Sequence, residues 1–181
     1  MVAGELIWTR IVSVETVDGS VFASFSCGET KFDDWLRGQA RTAASRGECI
    51  THVCLDDFGI PVAFYTLSST AISSDVVSRS LQGGLHGPIP ATLLGKMGVR
   101  TNAQGNGCGT RVLHHAMFSA AEAAKQVGSR LLVVDALTTD LVPWYEKRGF
   151  HKLPQSERRL VCKMSEVRKI CEHQENGYFV F

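Results

Sequence analysis

The sequence lacks several features that would place it in a common class of protein. No apolar run reaches the roughly 18 residues that a transmembrane helix needs, and no basic segment followed by an apolar one opens the chain, as in a signal peptide. The six cysteines contain no Cys-x-x-Cys pair, which disfavours a zinc site. We therefore expect a cytoplasmic protein that binds no metal and whose cysteines are free thiols.

An excess of charge of either sign is also missing. The chain has 19 Lys and Arg residues and 18 Asp and Glu residues, so a nucleic-acid partner would have to be bound by local clusters of cations. With 181 residues, of which 44% are hydrophobic, the chain is long enough for one domain with a substantial core.

A glycine-rich loop followed by a long amphipathic pattern is the most informative stretch. An apolar run at residues 93–99 leads into a loop that holds Gly105, Gly107 and Gly109. The helix predicted after the loop buries one stripe of residues, namely Leu113, Ala116, Met117, Ala120, Ala124 and Val127. A strand, a glycine loop and a helix N-terminus together favour an anion, because backbone N–H groups and the helix dipole stabilise its charge.

Two well-known phosphate-binding motifs fit this loop poorly. A P-loop requires Lys followed by Ser or Thr, whereas Gly109 is followed by Thr110 and Arg111. The dinucleotide motif Gly-x-Gly-x-x-Gly, counted from Gly105, would place Thr110 at its third glycine. Only Asp135 could serve as the acidic residue that this motif has downstream.

Three blocks of sequence carry a resemblance to a known family. Residues 104–109 read Gln-Gly-Asn-Gly-Cys-Gly, and residues 142–150 read Val-Pro-Trp-Tyr-Glu-Lys-Arg-Gly-Phe. They resemble the Gln/Arg-x-x-Gly-x-Gly/Ala loop and the aromatic-Tyr-Glu-x-x-Gly-Phe signature of the GCN5-related N-acetyltransferases (GNAT). Phe-Ser-Cys-Gly at 25–28 and Phe-Asp-Asp-Trp-Leu at 32–36 are similar to the opening of a narrower group, the TacT-like acetyltransferase toxins. The resemblance covers roughly residues 5–165.

The resemblance implies the GNAT fold, an α/β fold with a mixed central sheet of about six to seven strands flanked by helices. A central pair of strands is splayed at the acyl-CoA site. Residues 1–165 would form the acetyltransferase domain and residues 166–181 a C-terminal extension. The apolar end of that extension, residues 178–181, has three interpretations that stay open, namely packing on the domain, contact with a dimer partner, or disorder.

Local patterns predict the remaining elements. Strands are expected at residues 5–14, 49–55, 61–69, 130–136, 150–153 and 160–164, and helices at 30–45 and 140–148. Residues 73–90 are expected to form a loop with at most a short helical piece. We predict that Thr30 caps the first helix together with Asp33, and that Asp140 caps the helix that Gly149 ends.

By resemblance, the strand before the loop and the loop itself bind acetyl-CoA. The backbone of Met97, Gly98 and Val99 would hold the pantetheine and the thioester carbonyl. The pyrophosphate would lie on N–H groups of the loop, whose residues are Gln104, Gly105, Asn106, Gly107, Cys108, Gly109 and Thr110. Arg100 or Arg111 would add positive charge. We interpret Cys108 as an apolar filler, because no histidine is placed to activate it as a nucleophile.

Tyr145 is the candidate general acid. A phenol with a pKa of about 10 is protonated at neutral pH and can donate its proton to a departing CoA thiolate, which is the role of the matching tyrosine in the family. No general base is evident, since His52, His114 and His115 fall in no pattern. An α-amino group, with a pKa of about 8, needs little help, whereas a lysine amine near 10.4 needs more.

The resemblance to the TacT-like toxins implies an acceptor and partners. The acceptor would be the α-amino group of aminoacyl-tRNA, whose acetylation blocks translation, and the partners would be a ribbon-helix-helix antitoxin and a second copy of the chain. Candidate contacts with the RNA are Lys31, Arg37, Arg41 and Arg46, which could equally be the solvated face of a helix.

The chain departs from the toxin group in two respects. Residues 96–103 read Lys-Met-Gly-Val-Arg-Thr-Asn-Ala where the group commonly has Arg-Leu-Ala-Val-Asp-Arg-Arg-Tyr, and the first helix carries fewer cations than in some members. Two other functions therefore stay open. One is acetylation of a protein N-terminus, a lysine or a small amine, and the other is a non-catalytic CoA- or partner-binding module, against which Gln104, Gly107, Gly109 and Tyr145 argue.

Overall fold

The computed structural model describes residues 8–175, which contain one mixed seven-stranded sheet. The strands are β1 (Arg10–Ser13), β2 (Ile50–Leu55), β3 (Pro61–Ile72), β4 (Ile89–Val99), β5 (Leu131–Asp135), β6 (His151–Lys152) and β7 (Arg159–Lys163), in the order β1-β2-β3-β4-β5-β7-β6. The α-helices are α1 (Thr30–Gly38), α2 (Ala40–Ser45), α3 (Arg79–Gln82), α4 (Cys108–Val127), α5 (Val142–Glu146) and α6 (Met164–Glu175). No helix within residues 8–175 is long and apolar enough to cross a bilayer.

Strands β4 and β5 form the parallel pair on which the predicted cofactor site depends. Their register runs from Ala91 opposite Leu131 to Leu94 opposite Val134, whereas β4 continues to Val99. The end of β4 therefore extends beyond its pairing with β5, as the predicted splay of the central strands requires. The pairs β1–β2, β2–β3, β5–β7 and β6–β7 are antiparallel.

The described residues divide into two compact units, each with its own core. The first unit comprises residues 8–67 and 96–115, and the second comprises residues 68–95 and 116–175. The core of the first unit is formed by Val14, Val17, Phe22, Phe25, Leu36, Ala40, Val53, Leu55 and Phe64. The core of the second unit is formed by Ile72, Val77, Leu81, Ile89, Ala91, Leu131, Val133, Leu153 and Val161.

The hairpin predicted between residues 49 and 69 is confirmed. Its turn is closed by Asp56, whose Oδ1 accepts hydrogen bonds from the backbone N–H groups of Phe58 and Ile60 at 2.9 and 2.8 Å. Gly59 has a φ of +75°, a left-handed conformation that a glycine adopts without strain. The Asx turn and the glycine together explain why the chain reverses at this point.

The helix predicted over residues 30–45 is divided at Gln39 into α1 and α2. The predicted capping by Thr30 is wrong, because Thr30 is the first helical residue and the N-cap, Glu29, makes no side-chain cap hydrogen bond. Asp33 is buried, and its carboxylate accepts hydrogen bonds from Ser26 Oγ at 2.8 Å and from the Cys27 N–H at 2.9 Å. This carboxylate thus closes the turn before the helix instead of capping the helix.

Several other predictions need correction. Within the described residues the first strand begins at Arg10, and residues 5–7 of the predicted strand lie outside them. The predicted loop contains the short helix α3, as expected, but β4 begins inside it at Ile89. Asp140 lies in a 3-10 turn, Thr139–Leu141, and the N-cap of α5 is Leu141, so the predicted cap is wrong. Val127 is 81% exposed, although the other residues of the predicted stripe are buried.

The C-terminal part of the described chain holds a helix that we did not predict. Helix α6 starts directly after β7 and buries Met164 and Val167. The residues that we assigned to a C-terminal extension thus begin inside this helix. The apolar residues 178–181 lie outside the described residues.

Candidate active site

The glycine loop of the first unit has the backbone geometry of an anion-binding turn. Gly105 and Gly107 have φ values of +81° and +79°, which an L-residue rarely adopts, and α4 begins directly afterwards at Cys108. The first N–H groups of a helix have no acceptor within the helix, and its dipole places positive potential at this end. The loop therefore has the backbone donors that an anion site requires, and binding of a diphosphate stays a prediction.

Gln104 anchors this loop. Its Nε2 donates hydrogen bonds to the carbonyl oxygens of Val99 and Cys27, each at 2.8 Å. One side chain therefore joins the loop to the end of β4 and to the turn at residues 25–28. This geometry suits the ordering role that the resemblance implies for Gln104.

The end of β4 is packed closely where we predicted contacts with the pantetheine. Gly98 is buried, and a Cβ atom at this position would lie 2.6 Å from Cε1 of Phe64 and 3.2 Å from Sγ of Cys27. Glycine is therefore required for packing, whatever its role toward a ligand. Arg100 holds the strand end, since its N–H donates to the Val62 carbonyl and its Nη2 donates to the Ser24 carbonyl.

Cys108 is buried at the start of α4, with 4% of its surface exposed. Burial raises the pKa of its thiol, although the positive charge of Arg111 acts in the opposite direction. A buried thiol with a raised pKa is a poor nucleophile, so the geometry disfavours a covalent mechanism through Cys108.

Tyr145 lies on α5 in the second unit and is buried, with 6% of its surface exposed. Its ring packs edge-on against Trp144 and Phe150, with centroid separations of 4.8 and 5.7 Å. Burial raises the pKa of Tyr145 to about 12. The phenol therefore stays protonated at neutral pH, which a general acid requires.

A cation stacks on the residue before this tyrosine. The Arg148 guanidinium lies 4.0 Å from the centroid of the Trp144 ring, and its Nη1 donates a hydrogen bond to the Trp144 carbonyl at 2.7 Å. Pro143 lies in the first turn of the helix, and Gly149, with a φ of +91°, follows its end. This short helix is thus fixed at both ends, which holds the Tyr145 ring in place.

The structure reveals a cluster in the first unit that sequence reasoning missed. The Oη of Tyr65 on β3 lies 2.8 Å from Nδ1 of His115 on α4, and the ring of His52 on β2 stacks on the Tyr65 ring at 4.7 Å. Burial, together with the charge of His52, lowers the pKa of His115 to about 4, and burial also lowers that of His52. No shared sequence pattern links these residues, so only the fold brings them together.

Two of the four predicted RNA contacts make hydrogen bonds within the first unit. Arg37 donates to the Phe25 carbonyl at 3.2 Å and pairs with Asp34 at 3.0 Å, and Arg41 donates to the Val17 carbonyl. The other two, Lys31 and Arg46, are exposed, and Arg46 lies 3.9 Å from Glu48. Contact of these four residues with RNA stays a prediction. Within residues 8–175, no group of three His, Cys, Asp or Glu side chains is arranged to hold a metal ion.

The chain is similar in sequence to curated toxins. No protein-family model matches the chain. A curated "tRNA-acetylating toxin" of Mycobacterium tuberculosis is 29% identical over 153 residues, which cover 84% of this chain and 92% of the relative. A "Probable toxin TacT" of Sinorhizobium fredii is 27% identical over 160 residues, covering 82% and 87% of the two chains.

Solved structures establish the fold. The toxin AtaT, "complexed with acetyl-methionyl-tRNAfMet", superposes with a TM-score of 0.80 and 21% identity, covering 89% of this chain and 98% of AtaT. A tyrosine-to-phenylalanine mutant of KacT gives the same values. The GNAT fold is therefore confirmed, as is the resemblance to the TacT-like acetyltransferase toxins.

Proposed function

We propose that this chain, which resembles the TacT-like acetyltransferase toxins in sequence and in fold, transfers an acetyl group from acetyl-CoA to the α-amino group of aminoacyl-tRNA. Such a modification removes the nucleophile that the ribosome needs and blocks translation. The observation that carries the proposal is the Gln104-anchored glycine loop, present together with a buried, protonated Tyr145 in a chain of this fold.

The residues of the loop fit a diphosphate group. The two left-handed glycines and the N-terminus of α4 offer backbone donors, and Gln104 keeps the loop closed against β4. Acetyl-CoA supplies the activated thioester, and Met97, Gly98 and Val99 are the proposed backbone contacts with its carbonyl end. The peptide groups beyond Leu94 suit that task, because β4 continues past the last residue that pairs with β5.

Tyr145 is the proposed acid. The amine attacks the thioester carbonyl carbon, the C–S bond breaks, and the sulfur needs a proton. A thiol has a pKa of about 8.5, well below that of the buried phenol. A net loss of the tyrosine proton is therefore unfavourable, and Tyr145 Oη acts as a relay that gives its proton to sulfur and receives the proton that the attacking nitrogen releases.

The same resemblance suggests partners and a location. Structures of AtaT show it "bound to the C-terminus of the antitoxin AtaR", and a KacTA–DNA complex is known. For the present chain we propose an antitoxin of the ribbon-helix-helix class, a homodimer, and residence in the cytoplasm, where aminoacyl-tRNA is found. Purification with the antitoxin, followed by light scattering, measures both the complex and the oligomeric state.

The deciding experiment is incubation of purified protein with labelled acetyl-CoA and charged total tRNA. We expect label in the aminoacyl-tRNA fraction with the wild type and its near-complete loss with Tyr145→Phe, while the affinity for CoA stays within about twofold. Tyr65→Phe is the matched control, because it removes the hydroxyl of a second tyrosine that is buried within residues 8–175, and its activity should persist.

Two outcomes would contradict the proposal. Full activity of Tyr145→Phe would remove this residue from the chemistry. Label that enters proteins or small amines but never RNA would confirm an acetyltransferase and replace its acceptor.

A further inference from the structure

A cavity of about 490 Å³ lies in the second unit, at the end of the sheet where β5 begins and β7 ends. Leu131 pairs with Lys163 at this end, and α6 starts at the next residue, Met164. Residues 128–130, between α4 and β5, also line the cavity. None of the residues that line the cavity is among those assigned to acetyl transfer, so it is a separate site.

Three cations stand among the mainly apolar residues that line the cavity. Arg130, Lys163 and Arg168 contribute cations, and no acidic side chain from residues 8–175 is among the residues that line it. Ser165, in the first turn of α6, adds a hydroxyl, whereas the hydroxyl of Ser129 is already hydrogen-bonded within the fold. Arginine, lysine, serine and a helix N-terminus are the groups that proteins use to contact the phosphates of nucleic acids.

Arg130 is held in position before any ligand arrives. Its Nε donates a hydrogen bond to the Leu81 carbonyl at 2.9 Å, and its backbone bonds to Pro90 and Met164 at 2.8 Å each. Gly83, with a φ of +60°, lies against the guanidinium, where a Cβ atom would collide with it. A guanidinium fixed in this way loses little conformational entropy when it binds an anion.

The rim of the cavity carries two exposed apolar side chains. Leu85 is 41% exposed and Val127 is 81% exposed, although Val127 lies on the stripe of α4 that is otherwise buried. Ribose rings and base faces offer apolar surface next to phosphates, so an RNA backbone satisfies both parts of this rim.

We infer that this cavity binds phosphodiester groups of the RNA substrate, away from the aminoacylated end that reacts. The inference rests on the proposed function, because it takes aminoacyl-tRNA as the substrate. Strand β5 carries the chain about 13 Å from Leu131 to Asp135, and residues 136–141 then lead into α5 with Tyr145. The cavity therefore positions the body of the RNA and contributes no group to the chemistry.

The test compares two substitutions on α6, each of which removes one positive charge. Arg168→Gln removes a cation from the cavity, and Lys169→Gln removes an exposed neighbour that does not line it. Binding of deacylated tRNA to the full-length protein is measured by fluorescence anisotropy over a series of KCl concentrations. We expect the slope of log K against log salt to fall by about one for Arg168→Gln and to stay unchanged for Lys169→Gln.

Kinetics provide a second readout. Arg168→Gln and Lys163→Gln should raise the KM for charged tRNA severalfold, yet leave the KM for an aminoacylated CCA fragment unchanged, because the fragment is too short to reach the cavity. Acetyl-CoA affinity should also stay unchanged, which shows that the variants are folded.

The possible failures are distinguishable. Equal salt slopes for Arg168→Gln and Lys169→Gln, with tRNA still acetylated, would overturn the inference and leave the proposed function standing. RNA binding that depends on Arg168 without acetylation of any charged tRNA would keep the RNA site and refute the proposed acceptor. Displacement of tRNA by poly-glutamate but not by poly(U) would assign the cavity to an acidic peptide instead.

Discussion

The half-buried imidazole of His115 makes the stability of the protein depend on pH in a defined window. Burial and the neighbouring His52 lower the pKa of His115 to about 4, from an ordinary value of 6.5. Between these two values the unfolded chain binds a proton that the folded chain does not bind. The free energy of unfolding therefore has its full value above pH 6.5 and decreases as the pH falls toward 4.

The size of this effect follows from the two pKa values. For a fully buried group, the difference between 6.5 and 4 corresponds to about 3 kcal/mol. His115 is partly exposed, so solvent screens the effect, and we expect about 1.5 kcal/mol. For a protein of this length, such a loss lowers Tm by about 3–6 °C.

Urea unfolding at pH 7 and at pH 4.5 measures the effect, with the wild type compared with His115→Gln. Glutamine can still pair with the Tyr65 hydroxyl but does not titrate. The loss of stability between the two pH values should be about 1.5 kcal/mol smaller in the variant. His86→Gln, at an exposed loop position, is the control, and its free energy of unfolding should decrease as much as that of the wild type between the two pH values. If His115→Gln also loses as much as the wild type, the burial argument is wrong.

Two further substitutions test the architecture of the proposed cofactor site. Gln104→Ala removes two hydrogen bonds, worth about 1 kcal/mol each, and should weaken acetyl-CoA binding about tenfold by calorimetry, whereas the exposed Asn102→Ala should not. Gly98→Ala pushes a methyl group into Phe64 and should destabilise the protein by about 1–3 kcal/mol in urea unfolding. A Gly98→Ala protein as stable as the wild type would mean that β4 shifts freely at this position.

Strong local signals allowed much of the fold to be predicted. The hairpin was predictable because Asp56 and Gly59 dictate a turn between two apolar runs. The start of α4 was predictable because Gly105 and Gly107 interrupt regular structure directly before an amphipathic pattern. In these places the conformation depends on neighbouring residues, so the sequence contains the information.

The contacts that the sequence did not predict join a side chain to a partner outside its own helix or strand. His115 pairs with Tyr65, which is 50 positions away, and Arg41 donates to a carbonyl 24 positions away. Asp33 matched a capping pattern, yet its carboxylate binds the turn that precedes α1. Such partners are determined by tertiary packing, which periodicity and capping rules do not describe.

Both backbone polar groups of Cys27 are hydrogen-bonded to side chains, and this has a consequence for genetics. The Asp33 carboxylate of α1 accepts a hydrogen bond from the Cys27 N–H, and Gln104 of the glycine loop donates one to the Cys27 carbonyl oxygen. Substitutions at positions 33 and 104, although 71 positions apart in the chain, should therefore be epistatic, and a double-mutant cycle should give a non-zero coupling energy. When variants of α1 are made to study binding of the acceptor RNA, their affinity for CoA must also be measured. Only then can a loss of activity be attributed to weaker RNA binding.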